Sequence, residues 1–331
     1  MQGGDHICLP IDDFIVHGPN GRHICLVYPV LGPSVDSVIK IFHHAPEKTL
    51  RELSRQIVES LIALHDHGIC HADLRPANIL LQLKSLDGRT SEDILDLLGE
   101  PETAEVVVRD ASGADIRLPQ FPRYLVYSND FADVDLDLVT KHVFVTDLGQ
   151  SFDVAEGGAR KDFGIPRPYC PPEIVCENSA GISMDLWSLG CVLFEARLGE
   201  KLFDPSDISG PDDDEYLIAV TLILGKLPEP WWTNWDQSSH LYEAGSGGPH
   251  SRLVEIPGRL CKRVPDPRSI KEKILACRAR GHPGRQEDGE VRNMTDEEVA
   301  LFADLLEKLL RYAPDERMPA REAINHGWFT M

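Results

Sequence analysis

Apolar and polar residues alternate along this chain with two different periods, and the changes of period mark its elements. The runs Ile7 to Val16 and His23 to Tyr28 are rich in β-formers, and Gly18-Pro19-Asn20-Gly21 between them is a cluster of turn residues. That combination predicts a β-hairpin. From Leu50 the spacing becomes helical, with Leu53, Ile57, Leu61 and Leu64 following at three- and four-residue steps before Gly68. Thr49-x-x-Glu52 ahead of them reads as a capping box, so an amphipathic helix is expected to start there. A short apolar strand is expected at Ile79-Leu80-Leu81 and another at Val143-Phe144-Val145. Ser183 to Gly199 is apolar nearly all round, which predicts a helix buried through the middle of a lobe. A second capping box, Thr295-x-x-Glu298, precedes Val299, Phe302, Leu305, Leu306, Leu309 and Leu310 and predicts a helix that closes the fold.

Two stretches break the pattern. Residues from about Lys84 to Lys141 are rich in Asp, Glu, Gly and Pro, with apolar patches only at Ile94 to Leu98 and Val106 to Val108. This reads as an insertion that is in part disordered. Leu224 to Trp235 carries Trp231, Trp232 and Trp235 among prolines and leads into a loop-rich segment ending near Gly289. Tryptophans in such a setting are expected to plug a groove. No internal repeat or low-complexity tract is present, and the longest strongly apolar stretch, Leu186 to Phe194, is too short to span a bilayer.

Composition narrows the partners. The 331 residues carry a formal charge of -21 at neutral pH and are 42% hydrophobic. Such acidity opposes direct binding to nucleic acid and favours basic partners. Eight cysteines are scattered without a C-x-x-C pair, several of them inside apolar runs. They are expected to be reduced, buried thiols of a cytoplasmic or nuclear protein. No secretory leader or myristoylation signal is read, and no membrane association is expected.

The candidate chemistry begins at Cys70-His71-Ala72-Asp73-Leu74-Arg75-Pro76-Ala77-Asn78, where a carboxylate and a carboxamide lie five positions apart between a helix and a strand. From one turn, Asp73 can accept a hydroxyl proton while Asn78 offers a neutral oxygen to Mg²⁺. Downstream, Val143-Phe144-Val145-Thr146-Asp147-Leu148-Gly149 sets a second carboxylate at a strand end. Pro171-Pro172-Glu173, Asp185-Leu186-Trp187 and Asp315-Glu316-Arg317 follow in order. His65, His67 and His71 near Cys70 raise a zinc alternative. Residues two apart on a helix point about 200° away from each other, however, so capping of carbonyls is the expected role for His65 and His67.

Taken in this order, these segments resemble a eukaryotic protein kinase, and the likeness is greatest to the SR-protein kinases in their divergent fungal forms. Ile11-Asp12-Asp13-Phe14 and Arg22-His23-Ile24-Cys25-Leu26-Val27-Tyr28-Pro29-Val30-Leu31-Gly32 carry the same resemblance. It implies an α+β protein-kinase-like fold, with a mainly helical large lobe and a truncated β small lobe. Residues 1–32 would be a partial small lobe and hinge, and 33–331 the large lobe, with a spacer-like insertion at about 84–141 and a group-specific insert at about 225–289. It further implies ATP and Mg²⁺ as cofactors, and basic Arg/Ser-rich proteins as substrates. Asp73 would be the catalytic base. Arg75 would stand where the family has a lysine near the transferred phosphate. Asn78 and Asp147 would hold the metal, and Tyr28, Pro29 and Leu31 would line the adenine site, Tyr28 as gatekeeper. Glu173 would pair with Arg317 as an internal brace, and Asp185 would bind the catalytic-loop backbone.

Departures from the family pattern are equally specific. The early glycines, Gly3, Gly4, Gly18, Gly21 and Gly32, form no G-x-G-x-x-G, and the first lysines, Lys40 and Lys48, fall beyond the hinge-like segment. By resemblance the sequence starts at the fourth strand of the small lobe, so either an incomplete kinase or a catalytically weak interaction module is expected. Ala72 replaces the arginine that grips a phosphorylated activation loop, and Ser151 is the one hydroxyl residue other than Tyr169 between Asp147 and Glu173. Control by phosphorylation of that loop is therefore not expected.

Overall fold

In a computed structural model, the described residues are 4–42, 47–128, 138–156, 163–204, 213–236, 269–280 and 294–331. Parts of the segments expected at about 84–141 and 225–289, part of the stretch between Asp147 and Glu173, and Cys261 lie outside them. The architecture is α+β, with helices carrying the core and the strands joined in two-stranded sheets.

The hairpin is present, with strands β1 (Asp12–Gly18) and β2 (Gly21–Val27) paired antiparallel from Asp12↔Val27 to Gly18↔Gly21. Its first strand starts later than the expected Ile7, because Ile7 instead bridges Val145 in parallel. Gly21 has φ +117°, a backbone region closed to most side chains, which is why glycine ends the turn. Helix α1 (Val35–Phe42) follows, then α2 (Glu47–His65). Helix α2 contradicts the capping box at Thr49. It already runs from Glu47, so Thr49 sits inside the first turn, extended by Glu and Lys, both good helix formers. Leu50, Leu53, Ile57 and Leu61 form its buried face.

Beyond α2, β3 (Ile69–Cys70) and β4 (Ile79–Leu83) flank the Asp73 turn. The insertion after β4, expected to be in part disordered, is ordered in its described part. It holds α3 (Ser91–Leu98) and four short strands, β5 (Thr103–Glu105), β6 (Val108–Arg109), β7 (Asp115–Ile116) and β8 (Tyr124–Val126), paired β5 with β8 and β6 with β7. Composition missed them because local polar bonds, rather than a core, order this region. Asp93 N donates to Thr90 Oγ1 at 3.1 Å while Thr90 N donates to Asp93 Oδ2 at 2.8 Å, a reciprocal cap. Asp110 Oδ1 accepts the Ser112 and Ala114 amides at 2.8 and 3.0 Å and closes the β6–β7 turn.

Strand β9 (Val139–Val145) pairs with β4, and β10 (Phe152–Asp153) pairs with β3. The outer edge of β9 is covered by a side chain of α2. Gln56 accepts from Val143 N and donates to the Lys141 carbonyl, both at 2.9 Å. Helices α4 (Pro172–Glu177), α5 (Ser183–Leu198), α6 (Asp213–Leu224), α7 (Trp231–Asn234), α8 (Ile270–Arg280) and α9 (Asp296–Leu309) build the remainder of the lobe.

Helix α5 is buried from Met184 to Leu198, as its apolar circumference requires, and Trp187 stacks on Phe203 with ring centroids 5.4 Å apart. A Cβ on Gly190 would stand 2.9 Å from Leu310, so this glycine permits the closest approach of α5 to the end of α9. Thr295 caps α9 as expected, its hydroxyl accepting Glu298 N at 3.0 Å. The Glu298 carboxylate does not close the box; it takes Arg197 of α5 in two bonds of 2.8 and 3.0 Å. Trp231 and Trp235 are buried, and Trp235 Nε1 donates to Asp214 at 2.8 Å. Among the described residues no helix is long and apolar enough to cross a membrane.

Candidate active site

The turn between β3 and β4 is bent against local preference. Ala72 has φ +64°, a left-handed conformation disfavoured for a residue with a Cβ. It is held from behind by Asp185, in the first turn of α5. Asp185 Oδ2 accepts His71 N at 2.7 Å and Oδ1 accepts Ala72 N at 2.9 Å. His65, the last residue of α2, bonds Asp185 Oδ2 through Nε2 at 3.0 Å. Burial alone would raise the Asp185 carboxyl, but the bonds from His65 and His71 outweigh it and hold the group below its ordinary 3.8. The expected contact of Asp185 with the loop backbone is thus observed.

On the front of the turn, Asp73 and Asn78 meet. Asn78 Nδ2 donates at 2.9 Å both to the Asp73 carbonyl and to Asp73 Oδ2, and both residues are buried. Arg75 Nε reaches the same Oδ2 at 3.4 Å with its side chain one-third exposed. Asp73 Oδ1 is buried without a partner among the described residues. Burial pushes the Asp73 carboxyl above its ordinary 3.8, and Arg75 and Asn78 offset only part of that effect. A buried, unpartnered carboxylate oxygen of raised basicity is suited to accept a proton from a donor brought to it.

Asp147 enters through strand pairing. Ile79 opposes Val145, and Thr146 donates to the Asn78 carbonyl through N at 2.9 Å and Oγ1 at 3.1 Å. The next residue, exposed Asp147, is turned out of the strand by φ +61° and accepts Gly149 N at 3.4 Å. The structure therefore brings Asp73, Asn78 and Asp147 to one end of the β4–β9 pair. Carboxylate and amide oxygens are hard donors of the kind Mg²⁺ takes; among the described residues no group of three or more His, Cys, Asp or Glu side chains is placed to hold a metal ion by itself.

Tyr28, Pro29 and Leu31 lie immediately after β2. The Gly32 amide donates to the Leu81 carbonyl at 2.8 Å and the Leu81 amide donates to Pro33 at 2.9 Å, which ties this segment to β4. Tyr28 itself is 46% exposed, and neither it nor Pro29 touches the Asp73 turn through a hydrogen bond among the described residues. The brace between Glu173 and Arg317 is fully formed, with two bonds of 2.6 Å between buried side chains.

Reading the sequence missed the role of His71. Its Nε2 bonds the Thr146 carbonyl at 3.0 Å and its Nδ1 accepts Asp73 N at 3.2 Å, so a single ring joins the Asp73 turn to the strand leading to Asp147. Its place beside Asp73 was the available signal, but only the pairing of β4 with β9 reveals its second partner. His67 caps Ala63 O through Nδ1 at 2.8 Å, while His65 departs from the carbonyl-capping expectation by taking Asp185.

Comparison with known proteins adds an independent line. A family model described as Protein kinase domain matches residues 14–90 and 136–329. The chain is 28% identical over 311 residues to Serine/threonine-protein kinase AFC3 of Arabidopsis thaliana, covering 93% of this chain and 64% of that protein. It is 26% identical over 325 residues to Dual specificity protein kinase lkh1 of Schizosaccharomyces pombe, covering 98% and 38%. To Serine/threonine-protein kinase SRPK of Physarum polycephalum it is 24% identical over 326 residues, covering 96% and 70%. The chain thus spans less than two thirds of the length of the first two relatives.

Proposed function

Since this chain belongs to the protein kinase domain family, we propose that it is a serine/threonine protein kinase that transfers the terminal phosphoryl group of ATP to hydroxyls of basic, Arg/Ser-rich proteins. The observation that carries this reading is the meeting of Asp73 and Asn78 at 2.9 Å beside the strand that leads to Asp147. In this assignment the unpartnered Asp73 oxygen accepts the proton of the attacking hydroxyl, its raised basicity aiding that step. Asn78 gives its amide hydrogens to Asp73, which leaves its side-chain oxygen as the atom that would hold a cation together with Asp147. Bound Mg²⁺ supplies neutralisation of phosphate charge as it builds up. Arg75 adds a fixed positive fork beside the base, while Tyr28, Pro29 and Leu31 border the nucleotide's adenine.

The basic-substrate reading is supported by the net charge of -21, which suits arginine-rich peptides electrostatically.

A second reading, nucleotide or partner binding without transfer, is favoured by Arg75, whose planar guanidinium stands where a lysine is expected near the transferred phosphate. The test is thermal-shift binding of Mg-ATP combined with transfer from labelled ATP to an Arg/Ser-repeat peptide, with Asp73→Asn and Asp147→Asn as controls. Binding with transfer that vanishes in Asp73→Asn supports the kinase. Binding without transfer supports the second reading, and absence of both sinks the two together.

A further inference from the structure

Residues 5–8 form a short segment that docks on α2 and β9, far in sequence from both. Cys8 N donates to the Val145 carbonyl at 2.9 Å, Ile7 bridges Val145, and the His6 carbonyl accepts Ser60 Oγ at 2.9 Å. At its centre the His6 ring stacks on His142 of β9, with centroids 4.4 Å apart and planes at 35°. His142 extends the stack to Phe144 at 4.9 Å and bonds the Asp5 carbonyl through Nε2 at 3.2 Å. His6 Nε2 lies 3.2 Å from Glu59 of α2, which is also paired with Arg55 at 3.2 Å. The His6 side chain is 13% exposed. None of the titratable groups here belongs to the candidate active site, and among them His142 is the nearest to it in sequence, five residues before Asp147.

We propose that this stacked pair makes the 5–8 segment a proton-operated latch, closed on strand β9 while the His6 ring is neutral and opened when it takes up a proton. Two neutral imidazoles stack with apolar contact and little charge. An imidazolium held at His6 gives up its hydration to burial, and the one carboxylate beside it is itself shared with Arg55. The charged and titratable groups around His6 are Glu59 and Arg55 from α2, His142 from β9 and Asp5 from its own segment. Burial, followed by the neighbouring His142, lowers the docked His6 below its ordinary 6.5, while Glu59 and Asp5 oppose this. The released segment therefore binds the proton more tightly than the docked one, and docking is lost as pH falls below 6.5 toward the lowered docked value. Opening removes the Cys8 partner from Val145, two residues before Asp147, so acid would loosen the strand that carries that carboxylate.

The test is hydrogen exchange by mass spectrometry on the full chain between pH 7.5 and 5.5, read as protection relative to the intrinsic rate at each pH for peptides covering residues 4–10 and 139–147. Protection is expected to fall on acidification with a slope of up to about tenfold per pH unit, the limit for one linked proton. His142→Gln should flatten that slope, and Glu59→Gln, which removes the carboxylate favouring docked imidazolium, should steepen it. His6→Gln gives a second route to flattening should His142→Gln fail to fold. Protection that is independent of pH in the wild-type chain, or a slope unchanged in both histidine variants, would overturn the latch.

Discussion

The turn that carries Asp73 and the hairpin that ends before Tyr28 are both short pieces of backbone, but the rest of the chain supports them in opposite ways. Behind the turn stand Asp185, His65 and His71, and around it lie the buried residues of α2 and α5. The hairpin has strands only on each other, and Phe14, Ile24, Leu26 and Tyr28 are 51, 65, 52 and 46% exposed. A two-stranded ribbon with apolar side chains in water gains little from burial. The difference teaches that the groups assigned to the transferred phosphate are positioned by this chain's own core. The groups assigned to the adenine rest on strand pairing and a tether to β4.

The strongest way to break this comparison is at the turn. Asp73→Asn should lower peptide phosphorylation by about 10² to 10⁴ and leave the melting temperature close to that of the wild type, because the amide keeps the shape of the carboxylate. In the unsubstituted chain the acid limb of kcat/KM should lie above pH 3.8, the ordinary carboxyl value, because burial raises Asp73. An acid limb below that value would contradict the base assignment.

Next in size is the brace. Arg317→Ala leaves Glu173 buried and unpaired and should cost about 3–5 kcal/mol of stability in urea unfolding. Arg317 also holds the Ser183 and Arg311 carbonyls at 2.9 and 2.8 Å and lies 5.2 Å from the Trp187 ring centroid. A loss below 1 kcal/mol would show that this core is less decisive than its geometry suggests. Gly190→Ala comes third, at about 1–3 kcal/mol, since the new methyl must displace Leu310 from a tightly packed position. The smallest effect belongs to the hairpin, where Ile24→Thr should change stability by less than about 0.5 kcal/mol. An effect as large as that of Gly190→Ala would mean that the exposed hairpin shares the core's cooperativity.

Legibility in the sequence followed the range of the interactions. The buried helix α5, the α2 face at Leu50, Leu53, Ile57 and Leu61, the β1–β2 turn and the Thr295 cap are set by residues a few positions apart, and all were readable. The α2 start was misjudged because Thr49 carries a capping signature without occupying the cap. In the insertion, the Thr90–Asp93 and Asp110 bonds order backbone that composition marks as loose. The Asp73 and Asn78 spacing was legible, and the link between Glu173 and Arg317 came from resemblance rather than from spacing.

By itself, then, the amino-acid order determined which segments become helix or strand and which oxygen-bearing side chains are available, since periodicity and local turns depend on neighbours in the chain. Only the tertiary structure decided which of those side chains meet. Pairing of β4 with β9 joins Asn78 to the strand of Asp147 across 69 positions of sequence, and α5 brings Asp185 beneath Ala72 across 113. The docking of His6 against His142 is of the same kind. Such contacts arise when apolar faces are buried together, and the free energy of that burial belongs to the assembled core rather than to any one segment.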